Sequence, residues 1–421
     1  MARKRLSRKD KAQKKLEQKK KRTQRLRSFI DLIMLRKHSD IYINVAVFVL
    51  ILFGTFMIVS TNVGQTTTNS TVVLTTLIKQ IAFLFAAYFC MWIVNHVFSF
   101  RWFSKAEMMF ILFMSVFMMM PFAFSASGGS QAWIRLPGGI TIQPSEFTKP
   151  LLIVLIACAV YKAKRNPKLQ EKWSKLFRFP IYALVLDIIF LILQRDLGTM
   201  SIVVMIFFVC ILIPDYPSIQ RIQKNLKRLF TVSVLGVVVL FGITDIGTDI
   251  IAQTPFSHVA TRIENAKNPY NDIYGEGYQP ANSLYGIASS NIIGKGIGAS
   301  ARKYGYLTQA DNDYILAVTI EETGVFGLGL IVLLYGVIIY RLFYYAFKTN
   351  ETVYKIVLVG NATYLFMHFF LNVGGVAALI PFTGVPLLFI SSGGSSLMAI
   401  CTAIGLSQQC ISQIRVKEMN A

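Results

Sequence analysis

The chain has 421 residues, of which 54% are hydrophobic and 15% charged, and 43 Lys and Arg face 21 Asp and Glu for a net charge of +22. That composition excludes an ordinary soluble domain, and the long apolar runs that recur along its whole length predict a polytopic helical membrane protein. Nothing alternates with the ten-residue dyad rhythm of a membrane barrel.

The first 37 residues carry 16 Lys and Arg against three acids, Asp10, Glu17 and Asp31. They lack an apolar h-region and a cleavage site, so they do not read as a signal peptide. No stacking aromatic interrupts the charges before Phe29, which argues against a nucleic-acid partner. Residues 1–40 read as a basic cytoplasmic tail lying on anionic lipid and fixing topology.

About ten spans follow. They run Ile41–Ser60, about Val73–Val94, Met108–Phe124, about Phe147–Tyr161, Ile181–Leu193, Leu197–Ile213, Leu229–Ile243, Asp313 to about Tyr340, Val353 to about Val373, and Leu387 to about Ser407. Loop charge orients them. Arg101–Lys105, Tyr161–Arg178, Tyr216–Arg228 and Arg341–Lys355 all carry Lys or Arg and fall inside. Thr61–Thr71 and Val376–Pro386 carry none, and Ser125–Gln143 has only Arg135. Both termini are therefore cytoplasmic. The resulting division is a tail (1–40), a transmembrane domain (41–412) with a large extracellular loop (245–312) between helices 7 and 8, and a short cytoplasmic tail (413–421).

The extracellular loop keeps Arg262, Lys267, Lys295, Arg302 and Lys303 outside, against the usual bias, which points to an anionic ligand. Cys90, Cys158, Cys210, Cys401 and Cys410 all lie in apolar runs without CxxC spacing and read as core residues. No phosphate loop, GxSxG elbow or HExxH helix is present, so no ATP-driven chemistry is encoded.

Four constellations carry polar chemistry. In the segment before the fourth span, Trp133 and Arg135 suit an interface that meets sugars or phosphates, though an aromatic belt with a snorkelling Arg has the same composition. Pro144-Ser145-Glu146 reads as a helix start, with Glu146 and Lys149 placed to pair at i, i+3. Gln194-Arg195-Asp196 is a tight outer turn, and Arg195 with Asp196 also reads as an interfacial ion pair. Asp187, two turns below, needs a partner in the bundle. Asp313 stands at the mouth of the eighth span, where it fits a general base or a helix cap. Glu321 lies about 80° further round and ~12 Å deeper on a continuous helix. The small-residue runs Asn372-Val373-Gly374-Gly375, Pro381-Phe382-Thr383-Gly384 and Ser391-Ser392-Gly393-Gly394-Ser395-Ser396 permit close helix or ligand approach.

In this order the motifs resemble the SEDS family of bacterial cell-wall polymerases, which includes FtsW, RodA and SpoVE. The matching blocks lie at 132–150, 193–199, 277–307, 312–327 (NDYILAVTIEETGVFG) and 381–397 (PFTGVPLLFISSGGSSL). The chain departs from the family pattern at Ala132, Arg195, Thr308-Gln309-Ala310-Asp311, Leu388 and Ser392. The long basic tail leans the reading toward the FtsW branch.

The resemblance implies a peptidoglycan glycosyltransferase that polymerises lipid II at the outer face of the cytoplasmic membrane, at the division septum. It implies Asp313 as the catalytic base. Trp133, Arg135, Glu146, Lys149, Asp196, Arg262, Lys295, Arg302, Lys303, Ser395 and Ser396 are the candidate substrate-binding residues. Arg262, Lys295, Arg302 and Lys303 would hold the leaving pyrophosphate. A divalent cation (Mg or Mn) would suit that group, although no ligand cluster demands one. The implied partners are a class B penicillin-binding protein and other divisome or elongasome membrane proteins. A flippase for lipid-linked precursors and a non-catalytic scaffold are the alternatives, since intramembrane carboxylates also suit a transport path.

Overall fold

The computed structural model describes residues 37–65, 71–126, 130–137, 139–244, 246–254 and 257–420. Residues 1–36, with the anionic-lipid contact expected of the basic tail, lie outside the described residues. Each of the ten segments read as a span is helical in whole or in part. The helices are α1 (Ile41–Asn62), α2 (Val72–Val97), α3 (Glu107–Met119), α4 (Ser145–Arg165), α5 (Arg178–Leu193), α6 (Leu197–Ile211) and α7 (Pro217–Val237). After them come α8 (Ile246–Ala252), α9 (Ser257–Lys267), α10 (Tyr278–Ser289), α11 (Ile315–Lys348), α12 (Thr352–Val376) and α13 (Gly394–Met419).

Six of these, α1, α2, α7 with its π-helical extension to Ile243, α11, α12 and α13, are long and apolar enough to cross a membrane. The shorter apolar helices Glu107–Ala123 and Leu197–Ile211 pack beside them, and α4 and α5 complete the bundle. α4 runs through its middle, with 15 of its 21 residues buried. By contrast, no part of the apolar window of α7 is buried, so that helix stands apart from the core.

The end of the bundle opposite Asp313 is closed by polar ties. Asp40 caps α1 through the Ile43 N–H at 3.1 Å. Its carboxylate also accepts from Arg341 on α11, from Arg415 on α13 and from the Tyr345 hydroxyl. A buried carboxylate served by four donors joins the start of the first helix to the ends of two others.

The structure corrects the sequence reading in three places. First, the segment before α4 contains an antiparallel hairpin, β1 (Ile134–Leu136) with β2 (Ile140–Ile142), turned by Gly139 at φ 70°. Second, residues 387–393 are not helical, and α13 starts only at Gly394. Gly384 and Phe389 take φ of 69° and 67°, which no helix accommodates. The apolar residues Leu387–Ile390 are buried against protein, not lipid. Side chains satisfy the free backbone there: Asn372 Nδ2 reaches the Val385 carbonyl at 2.9 Å, Tyr335 the Leu388 carbonyl, and His368 Nδ1 the Pro386 carbonyl at 3.1 Å. Irregular chain is tolerated at membrane depth when protein supplies these partners.

Third, α11 is not continuous. It breaks at Gly324, with φ 63° and ψ −151°. The carbonyls freed by the break accept from a loop: Lys295 N–H reaches the Glu321 oxygen at 2.9 Å and Gly296 N–H the Glu322 oxygen at 3.0 Å. A β-carbon at Gly324 would lie 2.2 Å from the Ile292 carbonyl oxygen. Gly324→Ala therefore meets both a glycine-only conformation and a backbone clash, and is expected to lose at least about 1–3 kcal/mol. Thermal unfolding in detergent measures this, and a melting temperature equal to that of the parent contradicts the account.

Candidate functional site

Asp313 lies in the turn that leads into α11 and is partly buried. Its neighbour Tyr314 is buried and stacks on Phe382, ring centroids 4.3 Å apart. Asn372 of α12 donates to the Asp313 carbonyl and to the Val385 carbonyl, both at 2.9 Å. Ser391 donates to the Asn312 carbonyl at 2.8 Å, and Ser392 N–H to the Asp311 carbonyl at 3.0 Å. The irregular segment 381–393 thus forms a wall against which the Asp313 turn is fixed. Gly384 faces the carboxylate, for a β-carbon there would lie 3.6 Å from Oδ2. At φ 69° that position also favours glycine.

A second carboxylate borders this wall. Asp196 caps α6 by accepting from Thr199 N–H at 3.0 Å, and Gln143 Nε2 donates to its other oxygen at 2.7 Å. Gln143 N–H in turn donates to Ser395 Oγ at 3.2 Å. Gly198 packs against Thr383, whose carbonyl oxygen a β-carbon would approach to 2.9 Å. Gln143, Asp196, Asp313 and the 383–395 segment with Thr383, Gly384 and Ser395 therefore come from four distant parts of the sequence to one end of the bundle. Thr383 Oγ1, Asn312 Oδ1 and Asn372 Oδ1 are buried polar atoms with no hydrogen-bond partner within the described residues.

The electrostatics favour a proton acceptor with a raised pKa. Burial, first, and the charges of Asp311 and Asp196 push Asp313 up to about 7, while Arg262 of α9 pulls the other way. Asp196 is also raised, chiefly by burial, against the opposing bond from Thr199 N–H. A carboxyl that titrates near neutrality is half-ionised and can take up a proton at physiological pH.

The other candidates are distributed as follows. Trp133 is half-buried beside the hairpin, and the exposed Arg135 donates to Ser125 Oγ at 3.3 Å. Glu146 and Lys149 are buried and paired at 2.6 Å, as their spacing predicted. Lys149 also meets His368 Nε2 at 2.9 Å, and the Tyr364 hydroxyl donates to Glu146 at 3.1 Å. This cluster lies inside the bundle, touches the wall through the His368–Pro386 bond, and its charges act on Asp196. Ser396 donates back to the Gly393 carbonyl at 2.9 Å.

Among the basic residues of the long loop, Lys295 is bound to Glu321 at 2.7 Å and Lys303 to Glu322 at 2.8 Å. Lys303 and Glu322 are both fully buried, and Ser60 of α1 also donates to Glu322 at 2.7 Å. Neither lysine stands as a free cation in this arrangement. Arg302 lies between the rings of Tyr285 and Tyr306 and donates to Asn282 at 2.8 Å. Arg262 is the basic candidate whose charge acts on Asp313. Gln143, His368 and Ser60 are the participants that sequence reasoning missed. Gln143 alone carried a signal, as the last polar residue before the α4 start. Among the described residues no group of three His, Cys, Asp or Glu forms a metal cradle.

The fold defines a polytopic helical membrane protein with two carboxylates, Asp313 and Asp196, bordering one wall at an end of its bundle. A model of the Cell cycle protein family (FTSW_RODA_SPOVE) matches residues 41–415, and the chain belongs to that family. It is 35% identical over 286 residues to the probable peptidoglycan glycosyltransferase FtsW of Bacillus subtilis, a match that covers 66% of each chain. It is 29% identical to stage V sporulation protein E of the same organism, covering 78% of this chain and 84% of the relative. Among solved structures, a chain of a peptidoglycan synthase complex that coordinates polymerization and crosslinking aligns with TM-score 0.65 and 21% identity, over 89% of this chain and 97% of its own. That likeness is one of fold.

Proposed function

We propose that this chain is a peptidoglycan glycosyltransferase that polymerises lipid II at the outer face of the cytoplasmic membrane, with Asp313 as general base. The single observation that carries the mechanism is the placement of Asp313: Asn372 holds its backbone carbonyl against the 381–393 wall and its carboxylate faces Gly384, in surroundings that raise its pKa. In the proposed step Asp313 takes the proton of the acceptor sugar 4-hydroxyl. The oxygen then attacks the donor C1, a new C–O bond forms, and the bond from C1 to the lipid pyrophosphate breaks. The electron pair leaves with the pyrophosphate.

The partnerless Thr383, Asn312 and Asn372 atoms suit contacts to sugar hydroxyls. Arg262 is the cation proposed to face the pyrophosphate. Trp133, Arg135, Asp196, Ser395 and Ser396 border the sugars, and Arg302 flanks them from the long loop. Glu146 and Lys149 act by supporting the wall through His368. A class B penicillin-binding protein is the proposed partner and the division septum the proposed location.

The flippase alternative requires polar side chains along an open path. Here Glu146, Glu321 and Glu322 are each bound to a lysine inside the protein, which favours the enzyme. The test is purified protein with its partner, supplied with lipid II. Glycan polymer is the expected product, and lipid translocation in liposomes without polymer supports the flippase.

A further inference from the structure

The loop between α10 and the Asp313 turn has a property that the catalytic reading does not use. Residues 291–298 read NIIGKGIG. Ile292, Ile293 and Ile297 are 69%, 76% and 66% exposed. Three isoleucines in eight residues are costly to hold in water. Gly294, Gly296 and Gly298 all have positive φ, so the backbone that carries these exposed isoleucines turns sharply.

Part of the polar surface of this loop is engaged by α11. Lys295 is its one charged residue, and its ammonium is bound to Glu321 at 2.7 Å. The N–H groups of Lys295 and Gly296 are bonded to the broken end of α11. The Ile292 carbonyl accepts from Val325 N–H at 2.9 Å, directly at the break. Beyond the break, Val325 and Phe326 are 56% and 70% exposed. From Val325 to Lys348 the helix is about 36 Å long, enough to cross a hydrocarbon core of ~30 Å unaided. The lipid-facing surface of α11 therefore starts at Val325 and is continuous with the isoleucine tip.

We propose that the 291–298 loop is a bilayer anchor that seats Ile292, Ile293 and Ile297 in the acyl chains of the leaflet on the Asp313 side. Irregular chain enters the hydrocarbon only where protein satisfies its backbone groups. The Lys295 and Gly296 N–H groups and the Ile292 carbonyl are bonded to the broken end of α11. The rest of the loop backbone stays at headgroup level while the isoleucine side chains reach the acyl chains. The anchor fixes the depth of the α11 break, and with it the Glu321–Lys295 pair, relative to the lipid headgroups. The inference rests on exposure and continuity with α11, and it stands whether or not the chain polymerises glycan.

The test is single tryptophan replacement in the full chain, reconstituted in phosphatidylcholine–phosphatidylglycerol vesicles. Ile293→Trp and Ile297→Trp are each compared with Tyr274→Trp, which lies 92% exposed in a polar turn. Emission is read as the difference from the parent. At positions 293 and 297 the added emission is expected to be blue-shifted relative to position 274, quenched by brominated acyl chains and protected from aqueous iodide. Iodide quenching at 293 and 297 equal to that at 274 overturns the proposal. So does emission that is shielded only after a partner protein is added, since that assigns the tip to a protein interface. Ile297→Trp gives an independent reading should Ile293→Trp fail to fold.

Discussion

Asp313→Asn is expected to lose polymerase activity by about 10²–10⁴-fold, the range a positioned general base contributes, while the protein remains folded. The neutral amide keeps the size of the carboxyl and its place beside Gly384 but cannot accept the proton. The Asp313 backbone, bound by Asn372, is untouched by the substitution. With the folded pKa raised from 3.8 to about 7, the parent should gain activity as pH rises through about 7 and then level off. Stability runs the other way. A carboxyl whose pKa is higher folded than unfolded stabilises the fold fully below its unfolded value, and that contribution is lost as pH rises through the folded value. Asp313→Asn mimics the protonated form, so its melting temperature relative to the parent should climb between about pH 4 and pH 7. Full polymerisation by Asp313→Asn, or an activity profile flat across neutrality, sinks the assignment.

Where the sequence was legible, it was so because one physical cost dominated. Burying ~20 apolar residues in lipid needs a helix, and the six helices long enough to span each overlap a segment read as a span on that ground. Glu146 and Lys149 were legible because a helix fixes i, i+3 neighbours whatever surrounds them. The wall at 381–393 was not legible. Its Leu387–Ile390 stretch is as apolar as a span, and apolarity cannot separate a lipid-facing helix from an extended chain packed in protein. Only the positive φ at Gly384 and Phe389 makes the difference, and one of those two is not a glycine.

The break in α11 was hidden for a related reason. Glu321 and Glu322 looked like intramembrane carboxylates on a continuous helix, and their partners Lys295 and Lys303 looked like free cations for a ligand. The 290s loop brings the four together, over sequence separations of 26 and 19 residues. The link between Gln143, Asp196 and Ser395 has the same character. Each residue is ordinary alone, and tertiary packing makes the constellation.

The buried Lys303–Glu322 pair gives the other large expected effect. Both side chains have no exposure, and Ser60 adds a hydroxyl from α1. Glu322→Ala leaves the lysine ammonium desolvated and uncompensated, at an expected cost of ~3–5 kcal/mol. Lys303→Met strands the carboxylate with Ser60 as its remaining donor, and a similar loss is expected. The double replacement Lys303→Met/Glu322→Met removes both charges and should recover most of the stability, because the gross attraction of such a pair is largely offset by desolvation.

Activity need not recover with it. The pair ties the start of the 303–313 loop to the short helix that follows Asp313, so both ends of the turn carrying the base are held to one element. If that tie positions Asp313, the double variant will melt near the parent temperature yet turn over more slowly, with its loss in kcat and its pH midpoint displaced. If the pair serves the fold alone, activity and stability will return together. A single replacement that leaves both unchanged contradicts the buried geometry itself.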